Sequence, residues 1–142
     1  MNNQTTMIVA SAFIQRDGKF LIAKRADNDS FMPGYWELAG GKVDFGELVS
    51  DAAARENKEE VGLDIITRYV LAVRNYLHET DPNKQFLELF FLGEMKDQNQ
   101  EVAISHEHSD FKWITYSEID TYNISPYVKV VLEEIHNHPL IK

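Results

Sequence analysis

The chain has 142 residues, 44% hydrophobic and 26% charged, the balance of a folded soluble protein rather than a disordered segment. It has no cysteine, which removes disulfides, thiolate zinc sites and cysteine nucleophiles, so any metal must be held by oxygen or histidine nitrogen. A net charge of −9 argues against binding nucleic acid or an anionic membrane surface, although metal ions can reverse the sign locally for a small polyanion.

The opening residues, MNNQTTMIVASAF, lack a basic region and carry only a short apolar run, which does not make a signal peptide. No stretch approaches the ~20 apolar residues of a membrane span, so cytoplasmic residence is the expectation. Residues 7–15 (MIVASAFIQ) read as a buried strand, Asp17-Gly18 as a hairpin turn, and residues 20–24 as the partner strand. Residues 26–34 are polar and close on Pro33-Gly34, a loop. Residues 35–39 (YWELA) alternate as a short strand that delivers Gly40-Gly41. A helix is expected from about Glu47 to Val61, stopped by Gly62.

Residues 64–78 suggest one long strand or two with a kink, and after a turn at residues 79–83, residues 85–95 (QFLELFFLGEM) form another strand. Residues 96–108 read as a polar loop, residues 111–115 (FKWIT) as a strand, and residues 117–120 as a capped helical turn. A last amphipathic helix is expected from about Pro126 to His136, with Val128, Val131, Leu132 and Ile135 inward. With no repeat or linker, residues 1–142 are expected to form one domain, an α/β sandwich with a mixed sheet.

The chemistry concentrates between Gly41 and Leu63. Arg55-Glu56-Asn57-Lys58-Glu59-Glu60 sets carboxylates at i, i+3 and i+4, within one helical turn. Like charges at this spacing repel, and a divalent cation is the simplest compensation. Three carboxylates suit Mg²⁺ or Mn²⁺, hard cations that favour oxygen ligands. Such ions neutralise a diphosphate chain and can lower the pKa of an attacking water. Gly40 and Gly41 allow close backbone approach, so a carbonyl there can add a ligand. The plain alternative is a solvated charged face with Arg55 and Lys58 as partners, and the flanking glycines and Glu47 weigh against it.

The spacing Gly41, five residues, Glu47, seven residues, Arg55-Glu56, two residues, Glu59-Glu60, one residue, Gly62-Leu63 resembles the signature of the Nudix hydrolases. Every specified position is met except Asn57, where the family usually has an aliphatic residue. Asn57 falls on the side away from the carboxylates, so it is expected to face the core and to find a hydrogen-bond partner.

The resemblance implies a Nudix-type α/β/α sandwich with a loop–helix–loop site. It implies Glu56 and Glu60 as principal metal ligands, Glu59 as extra ligand or base, and Gly41 as a backbone ligand. It implies that Arg55 holds a glutamate by ion pair, with Glu47 as partner. Glu107, in the loop before a Trp-containing strand, is the general base or extra ligand on the same grounds. Arg25 either contacts substrate phosphate or pairs with Asp27 or Asp29, and Gly40 is placed with the substrate.

His106 and His108 flank Glu107, as in a metal cluster, but are expected instead to be solvated or to touch substrate, and His136 and His138 to lie at the surface. Phe31, Tyr35 and Trp36 are expected to pack rather than to stack on a base, and Trp113 to join the core. The implied activity is Mg²⁺-dependent hydrolysis of a nucleoside diphosphate-linked compound, (d)NTP to (d)NMP and pyrophosphate. Nucleotide-sugar or dinucleotide cleavage is the alternative. Counting from Leu63, the sixteenth and seventeenth residues are Glu79 and Thr80, without the Pro or Tyr that marks ADP-ribose or diadenosine polyphosphate subfamilies. The lack of cysteine removes an isopentenyl diphosphate isomerase, and the intact glutamates weigh against a non-catalytic binding module. The partner implied is a small nucleotide, with a homodimer kept open.

Overall fold

Strand β1 (Thr5–Arg16) is the axis of the fold, in a computed structural model that describes residues 3–141. Residues 10–14 are buried on both faces, which is why this run is continuously small or apolar instead of alternating. Asp17 and Gly18 take positive φ, 52° and 76°, the left-handed pair that a two-residue hairpin needs, and return the chain as β2 (Lys19–Arg25).

The expected strand at residues 35–39 shrinks to β3 (Trp36–Glu37), paired with β2. Leu38 and Ala39 leave β2 to cross to β1, where Ala39 O accepts from Ala12 N–H at 3.1 Å. The chain continues as β4 (Gly40–Lys42), antiparallel to β1, with Gly40 opposite Ser11 and Lys42 opposite Val9. Two strands follow the first helix: β5 (Ile65–Leu77), one strand with two register irregularities, and β6 (Lys84–Met95). β6 pairs in parallel with β1 and antiparallel with β5. β7 (His108–Ile114) pairs with β2, giving a mixed sheet of seven strands among the described residues.

Helix α1 (Val49–Val61) begins two residues later than expected, because Glu47 belongs to the turn before it. There Glu47 N–H donates to Asp44 O and Asp44 N–H donates to the Glu47 carboxylate, each at 3.0 Å. Gly62 ends the helix at φ 75°, its N–H donating to Lys58 O at 3.1 Å. The small buried face of α1, Ala52 and Ala53, packs with Ala10 and Phe91, while Val61 packs with Ala12, Ile14 and Ile65.

On the other face a 3₁₀ turn, Tyr116–Thr121, is closed by the Thr115–Glu118 capping box. Helix α2 (Pro126–Ile135) then buries Val128, Val131, Leu132 and Ile135 against Phe13, Phe20, Phe90 and Leu92. The layers are therefore helix, mixed sheet, helix.

The period of two along β1 positions the site. Met7, Val9 and Ser11 share a face with Phe13, but α2 packs at the Phe13 end. The uncovered half, with Tyr76, Phe86 and Glu88, floors a cleft of about 580 Å³.

Candidate active site

Two elements meet at one end of the cleft. α1 presents Glu56 and Glu60, and β4 presents Gly40 and Gly41 at the sheet margin. A Cβ on Gly41 would fall on the Glu56 carboxyl group, and one on Gly40 would meet the Ser11 side chain and Ala10 O. Glycine at both positions lets helix and strand approach this closely.

Glu60 is buried and accepts the Gly40 N–H at 3.0 Å. Burial first, then a hydrogen bond with Glu107 and the nearby charges of Glu37, Glu107 and Glu56, pushes its carboxyl up to about 11. Glu56 is also raised by burial, although Arg55, at 2.9 Å, pulls it back. A cluster of carboxyls that resists ionisation is electrostatically short of a cation.

Arg55 organises the acids around it. Its Nε and Nη2 hold Glu47 at 2.8 and 2.9 Å, and it also reaches Glu56, Lys42 O at 3.1 Å and Glu59 at 3.3 Å. Arg55 and the Asp44 N–H together lower the Glu47 carboxyl to about 2, and Glu47 in turn raises Arg55. Glu59 is 57% exposed and does not line the cleft; neither does Glu47. The structure thus brings together Glu56, Glu60, Glu107, Gly40, Gly41 and Arg25, and sets Glu59 and Glu47 on the outer flank of Arg55.

Asn57 is fully buried, as its place on the helical wheel requires. Its Nδ2 donates to Ala39 O at 3.0 Å and Ala53 O at 2.8 Å, tying α1 to the segment that feeds Gly40, while Oδ1 has no partner.

Among the described residues no three His, Asp or Glu groups form a closed metal-binding set. Glu56 faces Arg55 and Glu60 faces Gly40 and Glu107, so each donor has a protein partner. The donor chemistry fits a hard divalent cation: all-oxygen, acidic, partly buried and mutually repelling.

Several expectations change. His108 is not a solvated loop residue: its side chain is 1% exposed, with Nε2 3.0 Å from Glu37 and Nδ1 unpartnered. The cause is that β7 starts at His108, opposite Arg25, three residues before the strand the sequence suggested. His106 is exposed, as is His136, which stacks on Tyr116 at 4.0 Å; His138 is half-buried.

Arg25 pairs with Asp29 at 2.7 Å, with Glu37 at 3.0 Å, and with Phe31 O at 2.6 Å. Burial lowers its basicity, but Glu37 and Asp29 outweigh that and raise it. Phe31 does more than pack: it lines the cleft with Tyr76, His78 and Phe86, its ring centroid 5.2 Å from those of His78 and Phe86. Trp36 joins the core edge-on to Tyr122, Tyr35 is half-buried, and Trp113 is half-buried beneath the Arg16 guanidinium.

Glu37, Tyr76 and Glu88 were not singled out from the sequence, yet all three line the cleft. The signal for Glu88 was available: it is the one charge inside the apolar run FLELFFLG.

The family model of the NUDIX domain matches residues 5–134. The chain belongs to the Nudix hydrolases. A curated relative, "Nucleoside triphosphatase NudI" of Escherichia fergusonii, is 30% identical over 123 residues, covering 82% of this chain and 87% of the relative. Among solved structures, a MutT protein from Methanosarcina mazei superposes with a TM-score of 0.83 at 25% identity, covering 94% of each chain. A MutT NUDIX hydrolase from Burkholderia pseudomallei gives 0.80 at 24% identity, over 93% of this chain and 99% of that one, a likeness of fold. As a Nudix hydrolase, the protein acts on small nucleotide substrates and uses a divalent metal. No helix among the described residues is long and apolar enough to cross a membrane.

Proposed function

We propose that this Nudix hydrolase cleaves a nucleoside triphosphate, with Mg²⁺ as the metal and Mn²⁺ as a substitute, to the monophosphate and pyrophosphate. The observation that carries this reading is the continuity of one cleft, acidic and glycine-lined at one end and aromatic at the other. A triphosphate needs the first end and a base the second. The name of the nucleoside triphosphatase relative supports the same substrate class.

Glu56 and Glu60, with the Gly41 carbonyl as a supplementary donor, would hold the metal, and Glu59 would add a donor only by swinging in from its exposed position. When bound, the metal neutralises the phosphate chain and acidifies an attacking water. The residues themselves do the rest. Glu107, beside Glu60, accepts the proton of the attacking water as its oxygen bonds to phosphorus and the bridging P–O bond breaks toward pyrophosphate. Glu59 would serve as base only by swinging in from its exposed position.

Arg55 and Glu47 fix the direction in which Glu56 points. Gly40 keeps the strand margin free of side chain beside the phosphates. Arg25 reaches substrate only by exchanging a carboxylate partner. On this reading residues 1–142 are one catalytic domain, working in the cytoplasm on small nucleotides rather than nucleic acid. A homodimer would use β5, which ends the sheet and exposes Tyr69, Val70, Val73 and Leu77. Light scattering on the purified protein checks that assembly.

The test of function is a panel of dNTPs, NTPs, nucleotide sugars and dinucleotides with Mg²⁺, each product identified by chromatography. Release of pyrophosphate and monophosphate from triphosphates supports the proposal. Faster turnover of a nucleotide sugar or dinucleotide, or full activity in Glu60→Gln, overturns it.

A further inference from the structure

Glu88 occupies a position that the fold would otherwise fill with an apolar side chain. It lies in β6 between Phe86 and Phe90 on the row facing the cleft and the α2-side core, and it is 6% exposed. Burying a carboxylate is costly, and no ion pair to it forms among the described residues. Two hydroxyls hold it instead: Ser11 donates to Oε2 and Tyr76 donates to Oε1, each at 2.5 Å. One comes from β1 and one from β5, so the carboxyl is clamped from both neighbouring strands.

The clamp leaves acceptor capacity. A carboxylate has about four lone-pair sites, and two are used. The residue lines the cleft beside Phe86 and Tyr76, with the Phe31 ring packed on both, its centroid 5.2 Å from Phe86 and 6.3 Å from Tyr76. An aromatic cleft wall with a fixed acceptor pair beside it is a site for a flat heterocycle with donors on its edge.

The pattern of donors then selects the heterocycle. Two acceptors side by side match two adjacent N–H donors. Guanine alone among the common bases has them, at N1–H and the 2-amino group. Adenine and cytosine set a ring-nitrogen acceptor beside the amino group, and uracil and thymine set carbonyls on both sides of their single N–H. Each of these places a lone pair against the carboxylate. We propose that Glu88 is a specificity-determining residue, its carboxylate accepting the paired N–H donors of a guanine base held against Phe31 and Phe86.

This deepens the triphosphatase reading and rests on it for the placement of base against phosphate. Burial pushes the Glu88 carboxyl up to about 7 while Ser11 and Tyr76 hold it down, so donors on a bound base favour the ionised form at working pH.

The experiment measures kcat/KM of the wild type for dGTP, dITP and dATP, and of Glu88→Gln for the same three. dITP differs from dGTP only by the missing 2-amino group, so the wild type alone already tests the proposal. A preference for dGTP over dATP of about ten- to a hundredfold is expected, carried mainly by KM, with dITP between them. In Glu88→Gln the side chain offers one donor and one acceptor, and the dGTP:dATP ratio falls toward one or inverts. Tyr76→Phe, which loosens the clamp but keeps the carboxylate, reduces the ratio less.

A wild type that does not prefer dGTP over dATP and dITP, or a folded Glu88→Gln that keeps the preference, overturns the proposal. If the wild type hydrolyses no triphosphate, the triphosphatase reading fails by itself. Equilibrium binding of dGMP against dAMP then decides the role of Glu88, and equal affinities overturn it.

Discussion

Asn57 shows how one side chain can be both satisfied and wasteful. Its Nδ2 makes two hydrogen bonds, but its Oδ1 is buried without one. Ala39 O keeps Ala12 N–H if Asn57 is replaced, and Ala53 O keeps the helical bond. Asn57→Leu therefore strands no carbonyl, and urea unfolding should find it neutral to about 1 kcal/mol more stable. Asn57→Ala leaves a cavity and should cost about 2 kcal/mol. Glu107→Gln should lower kcat by on the order of 10²–10⁴ with little change in thermal midpoint, measured by initial rates at saturating substrate. Asn57 could be read from the sequence because a helical wheel fixes its direction. His108 could not, since its burial depends on Glu37, a contact across two strands that no local pattern encodes. Glu88 lay in plain view as a charge inside an apolar strand, but its meaning needed Ser11 and Tyr76, 77 and 12 residues away in sequence.

At the level of elements, α1 and β4 are legible together, because the spacing from Gly41 to Leu63 is set by one loop and one helix. What the spacing hides is how differently its two glycines act. A side chain at Gly40 would strike backbone, Ala10 O and the Ser11 Cα, whereas one at Gly41 would strike only the movable end of Glu56. Gly40→Ala should thus weaken the β1–β4 pairing by about 1–3 kcal/mol, read from denaturant midpoints. Gly41→Ala should fold normally and lose about ten- to a hundredfold in Mg²⁺ affinity, read by titration calorimetry, because Glu56 is pushed aside. The sequence pattern overstates the short β3 for a related reason. Leu38 and Ala39 extend the run as buried apolar residues, but the chain there changes partner strand, which is a property of the sheet and not of the segment.

The whole molecule stores repulsion, and its stability should report this. Glu88 has an ordinary carboxylate value of 4.5 when unfolded and about 7 when folded. Between those values the unfolded chain releases a proton that the native state keeps, so stability falls as pH rises through this window. The contribution is full below 4.5, lost above 7, and at most roughly 3 kcal/mol. Burial is the first cause, Glu37 adds to the rise, and Ser11, Tyr76 and Arg25 oppose it. Metal-free unfolding at pH 5 and pH 8 should show wild type weaker at the higher pH, with Glu88→Gln reducing that slope and the raised Glu60 and Glu56 carboxyls keeping the remainder. Mg²⁺ at about a hundred times its dissociation constant should restore about 2.7 kcal/mol, seen as a rise in thermal midpoint. The layered architecture behind this was legible because strand and helix periods alternate along the chain. The sheet order was not, because the parallel pairing of β1 with β6 joins residues on opposite sides of α1 and β5. That pairing has a kinetic consequence. The clamp on Glu88 closes only when a loop of more than seventy residues has closed, so the cleft floor should be among the last parts to form. The acidic helix, whose contacts are more local, can form earlier. During folding the chain therefore displays its unpaired carboxylates before it owns the slot that gives them a substrate, and early divalent-ion binding should accelerate refolding measured by stopped-flow fluorescence.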